Sequence, residues 1–410
     1  MFSLHTSPIA QLGRTRDAGG MNVYIRGLSR ELGRGGIYVD IFTRRSHPDT
    51  PEIQHIAERV RLITITAGPA EPLPPSALHP YVCEFSRRVA RFAERNDHPY
   101  NMAHSHYWLS AAAAAPLARA WDVPHVTMFH TVERLKGQQG IVTTCDHAST
   151  VRIESEGRIA TSADTVIVST ELEGEQLRRL YGLTPGHTRV IPCGVDLDAF
   201  TPATPASRAE ARHALDLDTT PTLLFVGRLD PIKGIDLLLE SVALLRTPVR
   251  LLVVGGDPAG DPEVERLRAR AAELGLGSRV RFPGAVPQRD LPAYYHAADA
   301  VVVSSRYESF GLVAVEALAC GATVVASAAG GLPSIVRDDM NGLLVPWRTP
   351  QAFAERIDLL LGDAALAERL RANARASVER LDWRRIGDRV RDLYQDLTVE
   401  GERVAACSCF

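Results

Sequence analysis

Two glutamates separated by seven residues, Glu308 and Glu316, are the side chains of this sequence best suited to hold a polar ligand. The β-branched run at 300–303 predicts a buried strand before them, and residues 309–312 predict the start of a helix. A helix start presents backbone N–H groups to an anion, and Glu316 falls about two turns along. This pattern suits a ligand with a phosphate in the middle and hydroxyl groups at both ends, as in a nucleotide sugar. Glutamates at this spacing are also common on solvated helices, so the pair alone is a weak signal.

Two cations precede these glutamates in the same half of the chain. Arg228 ends a predicted strand at 223–228, and Lys233 lies just before a predicted helix at 235–245. Beside a helix start, two cations can neutralise a diphosphate, the arginine as a planar fork and the lysine as a point charge. Surface cations that only cap a loop would give the same pattern.

In the N-terminal half, polar residues follow two predicted strands, in the segments HSHYW and FHT. Open α/β sheets place ligand groups at such strand ends, which makes His106, Tyr107, His130 and Thr131 candidates. A lone histidine at a strand end is often only a turn residue. The two histidines of HSHYW lack a third metal ligand nearby in sequence.

The elements that must position these side chains predict an α/β protein with two Rossmann-like domains, because 410 residues exceed one comfortable core. The first domain is predicted at 1–190. It opens with a strand at 2–5, a glycine-bearing loop at 13–20 and a helix, and its last predicted strand is 165–169. The loop lacks Gly-x-Gly-x-x-Gly, which counts against a dinucleotide-dependent dehydrogenase.

A stretch at 189–196 that is punctuated by proline and glycine predicts the linker. The second domain is then expected at 191–382, with a final helix and tail at 383–410. Asp196 and Asp198 formally match an Asp-x-Asp metal motif. Acidic pairs this short arise by chance, and we predict no metal site.

Composition narrows the classes of function. A net charge of −3 gives no electrostatic case for a nucleic-acid partner. No apolar run reaches the roughly 18–20 residues of a membrane span, and the N-terminus lacks a signal-peptide pattern. Six scattered cysteines without an export signal predict reduced thiols and a cytoplasmic location.

The helix predicted at 82–95 carries four arginines beside an apolar face. A basic amphipathic helix can dock on anionic lipid, so weak peripheral membrane contact is one alternative. The favoured interpretation is a solvated face over a core, because the overall charge is near neutral.

The segment ESFGLVAVEALACG followed by GGLPSIV closely resembles the Glu-x7-Glu signature of family 4 retaining glycosyltransferases. These enzymes have the GT-B fold, in which two Rossmann-like α/β domains face each other across a cleft. FVGRLDPIKG resembles the family's phosphate-clamp segment, DAGGMNVYIRGLSREL its donor-phosphate loop, and HSHYW and FHT two further motifs. The resemblance extends over nearly the whole chain. Gly-Gly-Met-Asn at 19–22 favours the branch that acts on inositol phosphate, since sucrose-phosphate-synthase-like enzymes usually carry Gly-Gly-Gln there.

The resemblance implies a metal-independent enzyme without a cofactor that moves a hexosyl unit from a nucleotide sugar, expected to be UDP-linked, with retention. No serine, cysteine or lysine constellation marks a protein nucleophile, so front-face departure is the expected route. Glu308 would hold the sugar hydroxyls, Glu316 the ribose hydroxyls, and His130 would contact donor sugar and acceptor. Arg228 and Lys233 would stabilise the diphosphate. The full donor set is expected to be Gly19, Gly20, Arg228, Lys233, Val286, Glu308, Ser309, Phe310, Gly311, Leu312 and Glu316.

The acceptor set that the resemblance implies is Asn22, His106, Tyr107, Thr131 and Arg152. Tyr107, Thr131 and Arg152 match residues that bind the acceptor's phosphate in the inositol-phosphate enzymes, and three converging donors suit a phosphate. Pro75 stands where those enzymes place a phosphate-binding lysine. We therefore expect a phosphorylated polyol or sugar to be accepted better than its unphosphorylated form, with weaker affinity than in that branch.

Other functions stay open at this point. Within the family, the chain would also suit a sucrose-phosphate- or sucrose-synthase-like transferase, or one that acts on a lipid-linked or other acceptor. A GT-B epimerase or phosphorylase would use a similar cleft. A nucleotide-sugar sensor would be no enzyme, and the presence of both Glu308 and Lys233 argues against it. The sequence does not determine the acceptor, the sugar, the nucleotide or the oligomeric state.

Overall fold

The computed structural model describes residues 1–10, 19–96, 100–138 and 147–407, which pack as two compact units. Of these residues, 1–10, 21–194 and those from 383 onward form the first unit. Residues 19–20 and 195–382 form the second. In each unit helices cover β-sheet, the arrangement expected of a chain in which strands and helices alternate.

The first unit holds two sheets that a single residue connects. Between residues 20 and 190 the chain forms, in order, α1 (Gly20–Arg34), β1 (Val39–Arg44), β2 (Ile53–Ala57), β3 (Val60–Ile65), α2 (Val82–Asn96), β4 (Ala103–His106), α3 (Trp108–Trp121), β5 (His125–Met128), α4 (Glu133–Gln138), α5 (His147–Ser162), β6 (Thr165–Val168), α6 (Glu171–Tyr181) and β7 (Thr188–Val190). The sheets have the orders β1-β3-β2 and β4-β5-β6-β7, and only the β2–β3 pairing is antiparallel. Phe2 bridges β1 at Phe42 and β4 at Ser105, which makes the two sheets continuous.

The second unit has one parallel sheet. Its elements are α7 (Pro205–Ala214), β8 (Thr222–Val226), α8 (Ile235–Ala243), β9 (Arg250–Val254), α9 (Pro262–Glu273), β10 (Val280–Gly284), α10 (Leu291–Ala297), β11 (Ala300–Val303), α11 (Leu312–Ala319), β12 (Val324–Ser327), β13 (Leu343–Val345), α12 (Pro350–Gly362) and α13 (Ala364–Val378). The strand order β10-β9-β8-β11-β12-β13 is the doubly wound order of a Rossmann fold, and it reverses between β8 and β11. After this unit, α14 (Trp383–Cys407) belongs to the first.

Helix α2 shows how the sequence pattern sets the packing. Its apolar residues Phe85, Val89 and Phe92 are buried, while Arg87 and Arg91 are exposed. The amphipathic helix predicted at 82–95 is therefore confirmed as an element. None of the helices in the described part of the chain is long and apolar enough to cross a membrane.

Two predicted elements differ from the structure. The strand expected at 2–5 reduces to the isolated bridges at Phe2, because the chain pairs with strands on both sides over only a few residues. The strand at 165–169 is not the last of its unit. Residues Thr188–Val190 form β7 beside β6 and extend into the stretch predicted as linker. This strand was not predicted because three residues are too few to show a periodic pattern.

Candidate active site

The predicted cations and one glutamate of the second unit lie where its strand order reverses. Parallel sheets of this order bind ligands beyond the carboxyl ends of their strands at such a point. Arg228 follows β8, and Lys233 ends the short 3-10 turn that comes next. Glu308 follows β11, the neighbour of β8. The Ser304 hydroxyl donates to the Lys233 carbonyl oxygen at 3.0 Å and ties the two loops together.

Lys233 and Glu308 form an ion pair. The lysine Nζ lies 2.6 Å from Oε2 of Glu308, and Ser305 Oγ donates to the same oxygen at 3.3 Å. The lysine and glutamate side chains are 22% and 17% exposed, so a ligand can reach both. Arg228 precedes Lys233 in the same loop after β8, and its Nη1 lies 3.8 Å from Oδ2 of Asp230. An anion that binds Lys233 must compete with Glu308 for the ammonium group.

The loop that carries Glu308 is fixed by a second loop, after β12. Gly330 has φ +54°, and a Cβ on it would lie 1.9 Å from the Glu308 carbonyl oxygen. The N–H of Gly331 donates to this oxygen at 2.8 Å. Ser309 and buried Phe310 continue the loop, and the following two residues, Gly311 and Leu312, are the N-cap and the first residue of α11. The structure therefore holds Glu308 next to a helix start, as the sequence pattern predicts.

The carboxylate of Glu316 on α11 is held by two side chains that were not predicted. Gln288 Nε2 donates to Oε1 at 2.8 Å, and the Tyr295 hydroxyl donates to Oε2 at 2.9 Å. Tyr295 is buried, and its burial, followed by the nearby Glu316 charge, raises its pKa well above the usual value. The hydroxyl therefore stays protonated and keeps Glu316 in one orientation. Val286, half-buried, lies in the loop just before Gln288.

The two glycines predicted at the donor phosphates group with the second unit. A Cβ on Gly19 would lie 3.6 Å from Cδ of Arg228, and one on Gly20 would lie 3.1 Å from Cδ1 of Leu312. Both glycines are therefore next to predicted donor residues. The rest of the predicted loop, residues 13–18, lies outside the described residues.

In the first unit, His106 and His130 come together at the ends of β4 and β5. His106 Nδ1 and His130 Nε2 are 3.1 Å apart. The Tyr24 ring lies edge-on to both imidazoles, with its centroid 5.6 Å from that of His106 and 5.3 Å from that of His130. His130 has φ +60°, a strained conformation for a residue with a Cβ. Burial, and then nearby His5, lower its pKa to about 3, so His130 is neutral at physiological pH.

Arg152 on α5 lies at the centre of a buried network. It donates through Nε to Glu156 at 2.7 Å, through Nη1 to the Tyr107 hydroxyl at 3.0 Å, and through Nη2 to the Thr131 carbonyl and hydroxyl oxygens at 2.9 and 3.1 Å. Nη1 also pairs with Oε2 of Glu133 at 2.9 Å. Burial alone would lower the pKa of Arg152. The neighbouring Tyr107, Glu156 and Glu133 have the larger combined effect and raise the pKa of Arg152. The three predicted phosphate ligands thus meet, together with two carboxylates.

Two further positions of the predicted acceptor site lie elsewhere in the first unit. Buried Asn22 donates from Nδ2 to Thr6 Oγ1 at 3.0 Å and to the Ser7 carbonyl oxygen at 2.7 Å. Pro75 begins a 3-10 turn and is half-buried. Asn22 therefore braces the N-terminal segment, and Pro75 supplies no charge.

Metal ligation finds no support among the described residues, where no group of three or more His, Cys, Asp or Glu side chains could hold an ion. Oδ1 of Asp196 accepts the N–H groups of Asp198 and Ala199, both at 3.2 Å. The Asp-x-Asp segment thus forms an Asx turn.

The structure adds four side chains that were not predicted: Glu133, Glu156, Gln288 and Tyr295. The sequence could have indicated one of these, Glu156. Arg152 and Glu156 are four residues apart on a helix, the spacing at which opposite charges meet. Glu133, Gln288 and Tyr295 reach their partners only through the tertiary fold, and no local pattern marks them.

Comparison with known proteins adds family matches over most of the chain. Residues 207–377 match the family described as glycosyl transferases group 1, and residues 18–199 match glycosyltransferase family 4. D-inositol 3-phosphate glycosyltransferase of Xylanimonas cellulosilytica is 40% identical over 97% of this chain and 96% of its own length. The protein of that name from Frankia alni is 41% identical, over 93% and 95%.

Solved structures of glycosyltransferases also superpose on most of this chain. Sucrose-phosphate synthase from Thermosynechococcus elongatus is 35% identical and superposes with a TM-score of 0.88, over 97% of this chain and 98% of its own. HepE from Anabaena, solved with UDP and glucose, shares the fold at 21% identity, with a TM-score of 0.74 over 94% of this chain and 98% of its own.

Proposed function

Because the chain belongs to glycosyltransferase family 4 and has the GT-B fold, we propose that it transfers a hexosyl unit from a UDP-sugar to a hydroxyl group of a small acceptor. The transfer retains the configuration at the anomeric carbon and needs no metal ion. The observation that carries this proposal is the grouping of Arg228, Lys233 and Glu308 where the strand order of the second unit reverses.

The second unit supplies what a sugar diphosphate requires. Arg228, Lys233 and the N–H groups at the start of α11 stabilise the charge that grows on the diphosphate as it leaves. Glu316, which Gln288 and Tyr295 hold in place, accepts hydrogen bonds from the ribose hydroxyls. HepE, which shares the fold, was solved with UDP-glucose, and UDP-glucose is the first donor to test.

The proposed chemistry is a front-face displacement. The bond between the anomeric carbon and the diphosphate oxygen breaks, and the acceptor oxygen bonds to that carbon on the same face. The leaving oxygen takes the acceptor's proton. Glu308 balances the positive charge that develops at the sugar, and neutral His130 contacts donor sugar and acceptor.

A second candidate function is transfer to fructose 6-phosphate. It is supported by the 35% identity with sucrose-phosphate synthase over almost the whole chain. The inositol-phosphate relatives are 40–41% identical over similar lengths and support an inositol-type acceptor. We also assign the Arg152 site to the acceptor, and we expect this site to discriminate between the charged and uncharged forms of either acceptor.

The experiment is a transfer assay with UDP-glucose and UDP-N-acetylglucosamine against inositol, fructose and their monophosphates. We expect a glycoside whose anomeric coupling in ¹H NMR matches that of the donor, formed equally fast in excess EDTA. Inversion of the anomeric centre would contradict the mechanism. Loss of activity in EDTA that Mn²⁺ restores would contradict metal independence. Turnover that requires inorganic phosphate instead of a sugar acceptor would point to a phosphorylase.

A further inference from the structure

The guanidinium group of Arg152 has no donor left for a ligand. An arginine side chain offers five N–H groups in one plane. Nε is used by Glu156, Nη1 by the Tyr107 hydroxyl and Glu133, and Nη2 by two oxygens of Thr131. A phosphate can bind Arg152 only by displacing one of these partners.

Carboxylates already neutralise the Arg152 charge at this site. Two carboxylates lie within 2.9 Å of a single guanidinium group. Glu156 is fully buried, and it also accepts the N–H of Glu133 at 3.0 Å and the Tyr181 hydroxyl at 3.2 Å. Glu156 is thus fixed as the interior partner of Arg152, and Glu133 is the additional anion.

Glu133 is the less buried of the two carboxylates that pair with Arg152. It is 8% exposed, accepts the Ser149 hydroxyl at 3.2 Å, and lies 3.9 Å from the Lys136 ammonium. A phosphate monoester carries a charge of about −1.5 to −2 and would meet two carboxylates in a poorly solvated site. A hydroxyl group, in contrast, can donate to a carboxylate without repulsion.

We propose that Glu133 is a specificity-determining residue that excludes phosphate from the Arg152 site, so that the acceptor bound there is an uncharged polyhydroxy compound. This inference rests on the proposed function, which assigns the site to the acceptor. It reverses the expectation from sequence, where Tyr107, Thr131 and Arg152 are visible as donors but the position of Glu133 is not.

The test uses variants of the full chain that change one charge at a time. Glu133→Gln removes the negative charge at nearly constant size, and Glu133→Ala also removes the bulk. Glu154→Gln is the matched control, because Glu154 is exposed on the same helix as Arg152 and its removal changes the net charge equally. Melting temperatures within a few degrees of the parent show that the variants fold.

The first readout is binding and needs no catalysis. Calorimetry measures the affinity for inorganic phosphate and myo-inositol monophosphate with UDP present, so that Arg228 and Lys233 are occupied. We expect both Glu133 variants to bind these probes about tenfold more tightly than the parent and Glu154→Gln, the scale of one charge-assisted contact. The gain should disappear in Glu133→Gln/Arg152→Ala. Equal affinity in the parent and Glu133→Gln overturns the proposal, as does a gain that survives loss of Arg152.

The second readout is kcat/KM for inositol against inositol phosphate and for fructose against fructose 6-phosphate. The parent should favour the unphosphorylated member of a pair, and Glu133→Ala should shift the ratio towards the phosphorylated one. A parent that favours the phosphorylated member overturns the inference. If no acceptor is glycosylated, the proposed function fails, while the binding comparison still decides the role of Glu133.

Discussion

At the residue scale, the immediate neighbour of the Glu308 carboxylate is a cation. The Lys233 ammonium lies 2.6 Å away and the Ser305 hydroxyl 3.3 Å away. A diphosphate that binds Lys233 draws the ammonium away from Glu308, and the carboxylate can then respond to positive charge on the sugar. Glu308 should therefore contribute more to the transition state than to ground-state binding.

Glu308→Gln should bind UDP at least as tightly as the parent, because the amide competes less for Lys233, while kcat falls on the order of 100-fold. Calorimetry and initial rates separate the two effects. Ser305→Ala is the matched control, because it keeps the carboxylate and removes only the 3.3 Å hydrogen bond. Equal kcat in Glu308→Gln and the parent would remove the role we assign to this residue.

Lys233→Ala should weaken UDP binding by about 1.5–3 kcal/mol, the scale of a hydrogen bond to a charged group. Arg246→Ala, at an 86% exposed cation of the same unit, should leave UDP affinity unchanged. Titration calorimetry with UDP measures the affinity of both variants and the parent. If both variants bind UDP as the parent does, Lys233 does not contact the diphosphate.

The charged residues of the second unit could be predicted from the sequence because each lies in a local pattern, directly after a strand or at a helix start. The prediction missed Gln288 and Tyr295, which act through α10 and its preceding turn on a glutamate of α11. It named Arg152 and missed Glu133, the residue on which the proposed preference for an uncharged acceptor rests. The net charge at a buried site depends on every charged side chain around it, and only the tertiary structure brings these side chains together.

At the scale of elements, the site depends on one contact between two loops. Gly330 approaches the Glu308 carbonyl oxygen so closely that a Cβ would lie 1.9 Å from it, and its φ of +54° is left-handed. A side chain here must move the loop after β11, the loop after β12, or both.

Gly330→Ala should lower the free energy of unfolding by about 2 kcal/mol or more, because strain adds to the steric clash. It should also lower kcat, since Glu308 moves. Gly260→Ala is the control, because a Cβ at Gly260 meets nothing within 4 Å. Denaturant unfolding and initial rates check both effects. An alanine variant at 330 with parental stability would show that the loops adapt at little cost.

Strands with continuous β-branched sequence were predictable at this scale, and β11 has the bounds that the sequence predicts. The bridges that Phe2 forms and the existence of strand β7 could not be predicted. Both are only a few residues long, and their hydrogen bonds go to strands outside the window that a local sequence pattern covers. Local patterns carry no information on such partners.

At the scale of the whole molecule, buried histidines are concentrated in the first unit. Burial is the main cause that lowers the pKa of His5 and His130 to about 3 and that of His125 to about 4. Their unfolded value is about 6.5, so the unfolded chain binds more protons than the folded unit below that pH. The stability that these histidines contribute is therefore complete above pH 6.5 and declines as the pH falls towards 4.

Calorimetric unfolding at pH 7, 6 and 5 should show this decline, at up to about 1.4 kcal/mol per pH unit for each titrating histidine. Burial raises the pKa of Glu173 to about 7 and also raises that of Glu156, and these two groups act in the opposite direction, but the three histidines outnumber them. His125→Gln should reduce the slope, and His213→Gln, in the second unit, should not. A melting temperature that is constant from pH 7 to 5 would contradict the prediction.

The last helix of the chain has a consequence for synthesis. Trp383, at the start of α14, packs against Gly27 and Gly194, where a Cβ would lie 2.3 Å from its ring. On the ribosome these two glycines emerge long before Trp383, and the continuous segment 195–382 emerges between them and it. The second unit can therefore complete its sheet on the nascent chain, while the first unit cannot complete its packing until Trp383 has emerged.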